Sequence, residues 1–199
     1  MRIVRPCVQH GGMRHPSLLE PQRALVVLVD VQEAYRGVLH GWEDVLRHVE
    51  VLLRGVVLLG VPLVVTEQYP KGLGHTADEA KRWLPAGTPV VEKQSMSCCG
   101  SAAFVERLQA SGRRQVVVAG LEAHACVNQT VHDLLALGYE VHVPRDTTSS
   151  RRATVVAPAW ERMMRAGALP TSVEQSLLEL VRTAESPHFK GLQRLLKEI

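Results

Sequence analysis

A three-layer α/β/α sandwich, built on a Rossmann-like, mostly parallel sheet of six strands, is the fold this sequence predicts. Two patterns carry that expectation. Its apolar runs, such as Leu25-Val26-Val27-Leu28-Val29 and Val116-Val117-Val118-Ala119, are continuous rather than alternating, as befits strands covered by helices on both faces. Four times, moreover, a helix-like amphipathic segment ends at a glycine and a strand follows within a few residues. That alternation implies right-handed crossovers and a parallel sheet.

The elements follow in order. The first strand, 25–29, runs into Asp30. A helix over 45–59 carries Val45, Leu46, Val49, Leu52, Leu53 and Val56, in phase with Trp42 just before it, at i, i+3, i+4, i+7 spacing, one apolar stripe of a helix. Gly60 suits the left-handed residue that closes it, and Pro62 forbids its continuation. The second strand, 62–65, follows, and the third is Val90-Val91-Glu92-Lys93. Helix 102–111, Gly112 and strand 115–119 repeat the pattern, as do helix 127–137, Gly138 and strand 140–144. Helix 154–166 and Gly167 precede a short sixth strand near 171–173, and helices over 174–184 and 189–199 finish the chain.

At 199 residues the chain suits one domain, able to bury roughly 70% of its unfolded surface. We assign 20–199 to that domain and 1–19 to an N-terminal arm. The arm carries Arg2, Arg5 and Arg14 and no acid, faintly like a transit peptide. Pro6, Gly11, Gly12 and Pro16 break any amphipathic helix there, so the arm is expected to dock on its own domain or a neighbouring subunit. The net charge of +3 is mild, and the pairs Arg113-Arg114 and Arg151-Arg152 lack interleaved aromatics. Neither nucleic acid nor, without an apolar run of about 20 residues, a membrane is an expected partner. Cys7, Cys98, Cys99 and Cys126 show no metal-type or disulfide-framework spacing, which points to reduced thiols and a cytoplasmic protein.

In parallel sheets, ligands bind at the carboxyl ends of strands where the strand order reverses. Asp30, Lys93 and Cys126 all fall at such ends. Each has a plain alternative: Asp30 as a helix cap or backbone brace, Lys93 as a surface cation, Cys126 as a small core residue. Together they suit nucleophilic chemistry. A helix start and a lysine favour thiolate, and a carboxylate can take a proton and return it. The first strand leads into Asp30-Val31-Gln32-Glu33-Ala34, without the glycine-rich turn of a nucleotide binder.

Val27-Leu28-Val29-Asp30-Val31-Gln32, Lys93 and Gly120-Leu121-Glu122-Ala123-His124-Ala125-Cys126-Val127 resemble the isochorismatase-like cysteine hydrolase superfamily. The stretches from Thr66 to Gly74, Glu92 to Ser97 and Asp146 to Arg151 make it most similar to the isochorismatase domain-containing subgroup. The resemblance runs from about Leu18 to the C-terminus. It implies Asp30 as general acid/base, Lys93 as its electrostatic partner and Cys126 as nucleophile. It also implies a cis peptide at Leu121-Glu122 and an oxyanion hole from the backbone N–H groups of Glu122 and Cys126. The implied activity is metal-independent, cofactor-free hydrolysis of a small amide, carbamoyl or ester substrate through a thioester, by a homodimer or larger homo-oligomer. A catalytically inactive binding or scaffold protein is the alternative.

Departures from the family pattern sharpen this. Metal-dependent nicotinamidases place Asp-x-His and a further histidine near the end of the second strand, where this chain has Glu67-Gln68-Tyr69 and no histidine until His75. None of the nine histidines forms a His-x-His or His-x-x-x-His pair, so no metal is expected. Members that cleave a vinyl ether need protonation rather than a nucleophile, so Cys126 favours covalent acyl transfer. Gln32 is expected either to contact substrate or to brace Asp30. Gln68 and Tyr69 line a pocket, unless Tyr69-Pro70 is simply a rigid turn. His124 is assigned to structure or a subunit contact, and Cys98 and Cys99 to packing.

Overall fold

A computed structural model describes residues 14–199; 1–13 of the arm, with Cys7, lie outside the described residues. The chain alternates as the glycine-punctuated pattern requires. In order come β1 (Ala24–Val29), α1 (Trp42–Leu58), β2 (Leu63–Gln68), the short helices α2 (Pro70–Leu73) and α3 (Asp78–Lys81), β3 (Val90–Lys93), α4 (Ala102–Ala110) and β4 (Gln115–Leu121). A π-helical turn, Ala123–Val127, leads into α5 (Asn128–Ala136). Then come β5 (Glu140–Pro144), β6 (Thr148–Ser149), α6 (Val156–Arg165), β7 (Leu169–Thr171), α7 (Val173–Val181) and α8 (Phe189–Leu196).

Six strands line up as β3-β2-β1-β4-β5-β7, and every pairing is parallel. A seventh, the two-residue β6, pairs with the end of β4. It escaped the sequence pattern because Thr148-Ser149 offers no apolar run. The last strand also sits two residues earlier than expected, at Leu169–Thr171, since Ser172 accepts a bond from Gln175 N and caps α7. The short helices α2 and α3, four residues each, are below the length at which periodicity can be read.

β1 explains the continuous apolar runs. Ala24, Val26 and Leu28 pack on one side with residues of α1, α7 and α8. Leu25, Val27 and Val29 pack on the other with residues of α4, α5 and α6. All six are at most 1% exposed, and each of the five Val and Leu side chains contributes about 1.5–3 kcal/mol by its burial. Among the described residues, no helix is long and apolar enough to cross a membrane. The described part of the arm docks on α7: Arg14 Nη2 donates to Glu179 O (2.8 Å) and Leu19 N to Glu179 Oε2 (2.9 Å).

Chain order reverses between β1 and β4, which pair directly with each other. Their carboxyl ends come unusually close. Gly120 has φ +120°, and a Cβ there would lie 2.0 Å from Val29 O. Only glycine meets both demands, the backbone conformation and the missing side chain. Gly120→Ala is therefore expected to destabilise the fold by at least about 3 kcal/mol, read as a lowered urea midpoint. An unchanged midpoint would show that the two strand ends can separate freely.

Candidate functional site

The carboxyl ends of β1, β2, β3 and β4 converge on one buried network. Asp30 follows β1 with φ 51°, a left-handed conformation that aspartate tolerates better than most side chains. Its carboxylate is fully buried and held on both oxygens. Lys93 Nζ donates to Oδ2 at 2.7 Å, and Thr66 Oγ1, from β2, donates to Oδ1 at 2.7 Å. Lys93, at the end of β3, also donates to Gln68 Oε1 (2.8 Å) and to the carbonyls of Ser95 (3.2 Å) and Met96 (3.1 Å). Both side chains of the ion pair have zero exposure. Burial is the strongest single influence and works against the ammonium, but the charge of Asp30, its hydrogen bond and the neighbouring groups together outweigh it and hold the Lys93 pKa above its ordinary value. Lys93 is a permanent cation at the floor of the site.

Cys126 stands in front of this pair, in the π-helical turn between β4 and α5. Such turns are frequent at functional sites. The Leu121–Glu122 peptide just before the turn is cis. The Cys126 thiol is 3% exposed and reaches a cavity of about 470 Å³. Burial pushes it up to about 12, and the Asp30 carboxylate pushes the same way, while Lys93 only partly offsets them. The expectation that a helix start favours thiolate is therefore corrected. Desolvation of a buried sulfur outweighs the dipole of one helix end, and the resting group is a thiol beside a carboxylate able to receive its proton.

Around this centre the sequence-predicted residues separate. Gln68 lines the cavity while its carbonyl oxygen and side chain are tied to Gln32 and Lys93. Gln32 has no group to spare for a ligand: Nε2 donates to Gln68 O and Gly74 O, and Oε1 accepts from Gln68 N. It braces the β2 loop. Tyr69 is 49% exposed, has φ 39° and precedes α2; its ring is not part of the cavity wall, so the turn alternative describes it. His124 lines the rim, with Nδ1 3.0 Å from Ser150 Oγ. Cys98 is buried in the core, its sulfur 3.6 Å from Thr66 Oγ1, and Cys99 packs beside it on the same face.

Four contributors escaped the sequence reading. Thr66 is a lone hydroxyl ending the apolar run of β2, a signal that was there to be weighed. Met96 Sδ lies 3.9 Å from Cys126 Sγ; nothing in its spacing reveals this. Tyr35, five residues after Asp30, lines the cavity. Arg151, noted in the sequence only for its pairing with Arg152, donates through its backbone N (2.9 Å) and Nε (3.1 and 3.2 Å) to the Glu122 carboxylate, 29 residues away in sequence and 4% exposed.

Among the described residues, no three His, Cys, Asp or Glu side chains cluster as a metal site would. The nearest pairing, Glu67 with His75, is consumed internally: Oε1 accepts from Thr76 N and Oγ1 (both 2.7 Å), and Oε2 meets His75 Nδ1 at 2.9 Å. A larger cleft of about 570 Å³ opens beside Arg145 and Trp160, away from Cys126.

Comparison with known proteins agrees with this architecture. Residues 24–175 match the model of the Isochorismatase domain. Isochorismatase domain-containing protein 1 of Salmo salar is 38% identical over 179 residues, covering 90% of this chain and 62% of that protein. The chain thus spans less than two thirds of that relative's length. Isochorismatase domain-containing protein 2 of Danio rerio is 34% identical over 178 residues, covering 89% of each. Among solved structures, that of the MAR1 ribonuclease from Caenorhabditis elegans superposes with a TM-score of 0.86 at 35% identity, covering 90% of this chain and 92% of that one. With its α/β fold and with these relatives, the chain belongs to the isochorismatase family, in the branch of the isochorismatase domain-containing proteins.

Proposed function

We propose that this isochorismatase-family chain is a cysteine hydrolase that cleaves a small amide, carbamoyl or ester bond without a metal or cofactor. One observation carries the reading: the Cys126 thiol lines a small cavity and is near enough to the buried Asp30–Lys93 pair that both charges act on it. The donor set supports the metal-free assignment, because the carboxylate at the end of β2 is already satisfied by His75 and Thr76.

The steps balance on these residues alone. Asp30 takes the Cys126 proton as Sγ attacks the carbonyl carbon. The oxyanion is received by the backbone N–H groups of Glu122 and Cys126, donors each worth about 3–4 kcal/mol in such a transition state. Asp30 returns the proton to the departing amine or alcohol, the bond to carbon breaks, and a thioester remains. Water then attacks, Asp30 accepts its proton, and the acid leaves as Sγ is reprotonated. Lys93 holds the Asp30 carboxylate in place between steps.

The alternative is a member that binds without turnover. The Caenorhabditis relative adds RNA cleavage as a second reading, but a small cavity with a thiol at its wall suits a carbonyl compound better than a polymer. Within the first reading we also assign the chain to one domain, 20–199, to a homodimer or larger oligomer, and to the cytoplasm, where free Cys98, Cys99 and Cys126 stay reduced.

Three results are expected. Across a panel of small amides and esters, Cys126→Ala and Asp30→Asn lower kcat/KM at least about 1000-fold, and intact-mass spectrometry of the quenched wild-type protein catches an acyl adduct on Cys126. RNA cleavage that survives Cys126→Ala, with no acyl adduct, would favour the nuclease reading. Iodoacetamide labelling of Cys126, followed by peptide mass spectrometry, should be slow at neutral pH and climb toward a midpoint of about 12. Because thiolate is the reactive form, Asp30→Asn should lower that midpoint and Lys93→Met should raise it; the reverse signs would contradict the assigned charges. Light scattering should give at least twice the 21.9 kDa chain mass; a monomer at working concentration would remove the oligomer from the proposal.

A further inference from the structure

Cys98 has no part in the hydrolytic steps above, yet its fully buried thiol lies one hydroxyl away from the carboxylate that performs them. Thr66 stands between the two. Its Oγ1 is 2.7 Å from Asp30 Oδ1 and 3.6 Å from Cys98 Sγ, the latter within reach of a weak bond that involves sulfur.

Counting hydrogens fixes the direction of both bonds. A threonine hydroxyl has one hydrogen to give and lone pairs to receive with. A carboxylate oxygen only accepts, so the Thr66 hydrogen goes to Asp30 Oδ1. What remains for Cys98 is a lone pair, and the thiol must therefore be the donor. Its environment keeps it able to donate. Burial and then the charge of Asp30 push the Cys98 thiol up to about 12, while Lys93 and the hydroxyls of Thr130 and Thr66 only partly offset them. The backbone of Cys98 is held from the far side, where its N donates to Thr130 Oγ1 at 2.9 Å. Thr130 is itself fully buried on α5, the helix that continues from the turn bearing Cys126.

We propose that Cys98 is a positioning residue for Asp30: its S–H occupies the Thr66 oxygen, stops that hydroxyl from turning away, and so fixes the Thr66 hydrogen on Oδ1. This rests on the reading of Asp30 as the proton carrier and deepens it by adding a residue that acts through another. The bonds from Cys98 to Thr66 and from Thr66 to Asp30 both point toward the carboxylate. They leave no acceptor on that side to draw the Cys126 proton onward, and the proton that Asp30 receives goes to the leaving group. No bond of Cys98 or Thr66 is made or broken in the reaction. Through Thr130, moreover, the nucleophile's own helix supports the base that serves it.

Infrared spectroscopy of the full-length protein tests the direction of the bond. The difference between wild type and Cys98→Ala isolates the S–H stretching band of Cys98. The same difference taken in a Thr66→Val background, where the acceptor is gone, should show that band at higher frequency. A band that does not move would overturn the proposal. Kinetics test the consequence, with the amide or ester that is turned over fastest. Thr66→Val should lower kcat at least about 10-fold and Cys98→Ala about threefold, each with KM changed less than about twofold. Cys98→Ser, which keeps a donor, should recover most of the loss. A change confined to KM, or a serine variant no better than the alanine one, would return Cys98 to a packing role. Circular dichroism checks that each variant is folded, and the two Cys98 variants decide the matter by kinetics if Thr66→Val is not. A band that shifts as expected in a protein that turns over no amide or ester would instead overturn the hydrolytic reading and leave the bond from Cys98 to Thr66 standing.

Discussion

Everything at the carboxyl edge of the sheet is arranged around one buried ion pair. Two full charges without exposure are unfavourable unless every donor and acceptor is satisfied. Asp30 and Lys93 meet that demand with contacts from four places: Thr66 and Gln68 on β2, and the carbonyls of Ser95 and Met96 beyond β3. Each of these positions is thereby held in register with the others. Removing either member would leave an uncompensated interior charge, at a cost of about 3–5 kcal/mol. The same pair that organises the chemistry therefore anchors three strand ends.

The pair also explains why a thiol with a high pKa suits the site. A cysteine ionised at rest would place a second negative charge against Asp30. Keeping the thiol protonated avoids that repulsion and leaves its proton beside a carboxylate. In this arrangement the reactive form is generated at the moment of attack, and the lysine holds the carboxylate where it can generate it.

Much of this was legible from the chain alone, for physical reasons. Strands buried on both faces must be continuously apolar, so β1 and β4 could be read directly, and Gly60, at φ +66°, announced the end of α1. Asp30, Lys93 and Cys126 stood out as reactive types at the ends of apolar runs. The partners were harder. Thr66 reaches the site from the end of β2, and Tyr35, Met96 and Arg151 reach it from turns and loops far apart in sequence, and no local period encodes that. Gln32 and Tyr69 show the converse limit: closeness to Asp30 and Gln68 in sequence does not decide whether a side chain turns inward. The state of the thiol was also beyond the sequence, because it depends on how completely the sulfur is buried.

The loop after β3 joins two tasks in adjacent atoms. The backbone carbonyl of Met96 accepts from Lys93 Nζ, while its side chain, in a residue 43% exposed, covers Cys126. Replacing the side chain with a smaller one widens the approach to the sulfur and leaves the carbonyl in place. Lengthening the loop moves both at once. Residue exchange at position 96 is therefore a route by which relatives of this chain can diverge in what they admit, whereas insertions there are closed to them so long as the lysine is to stay buried.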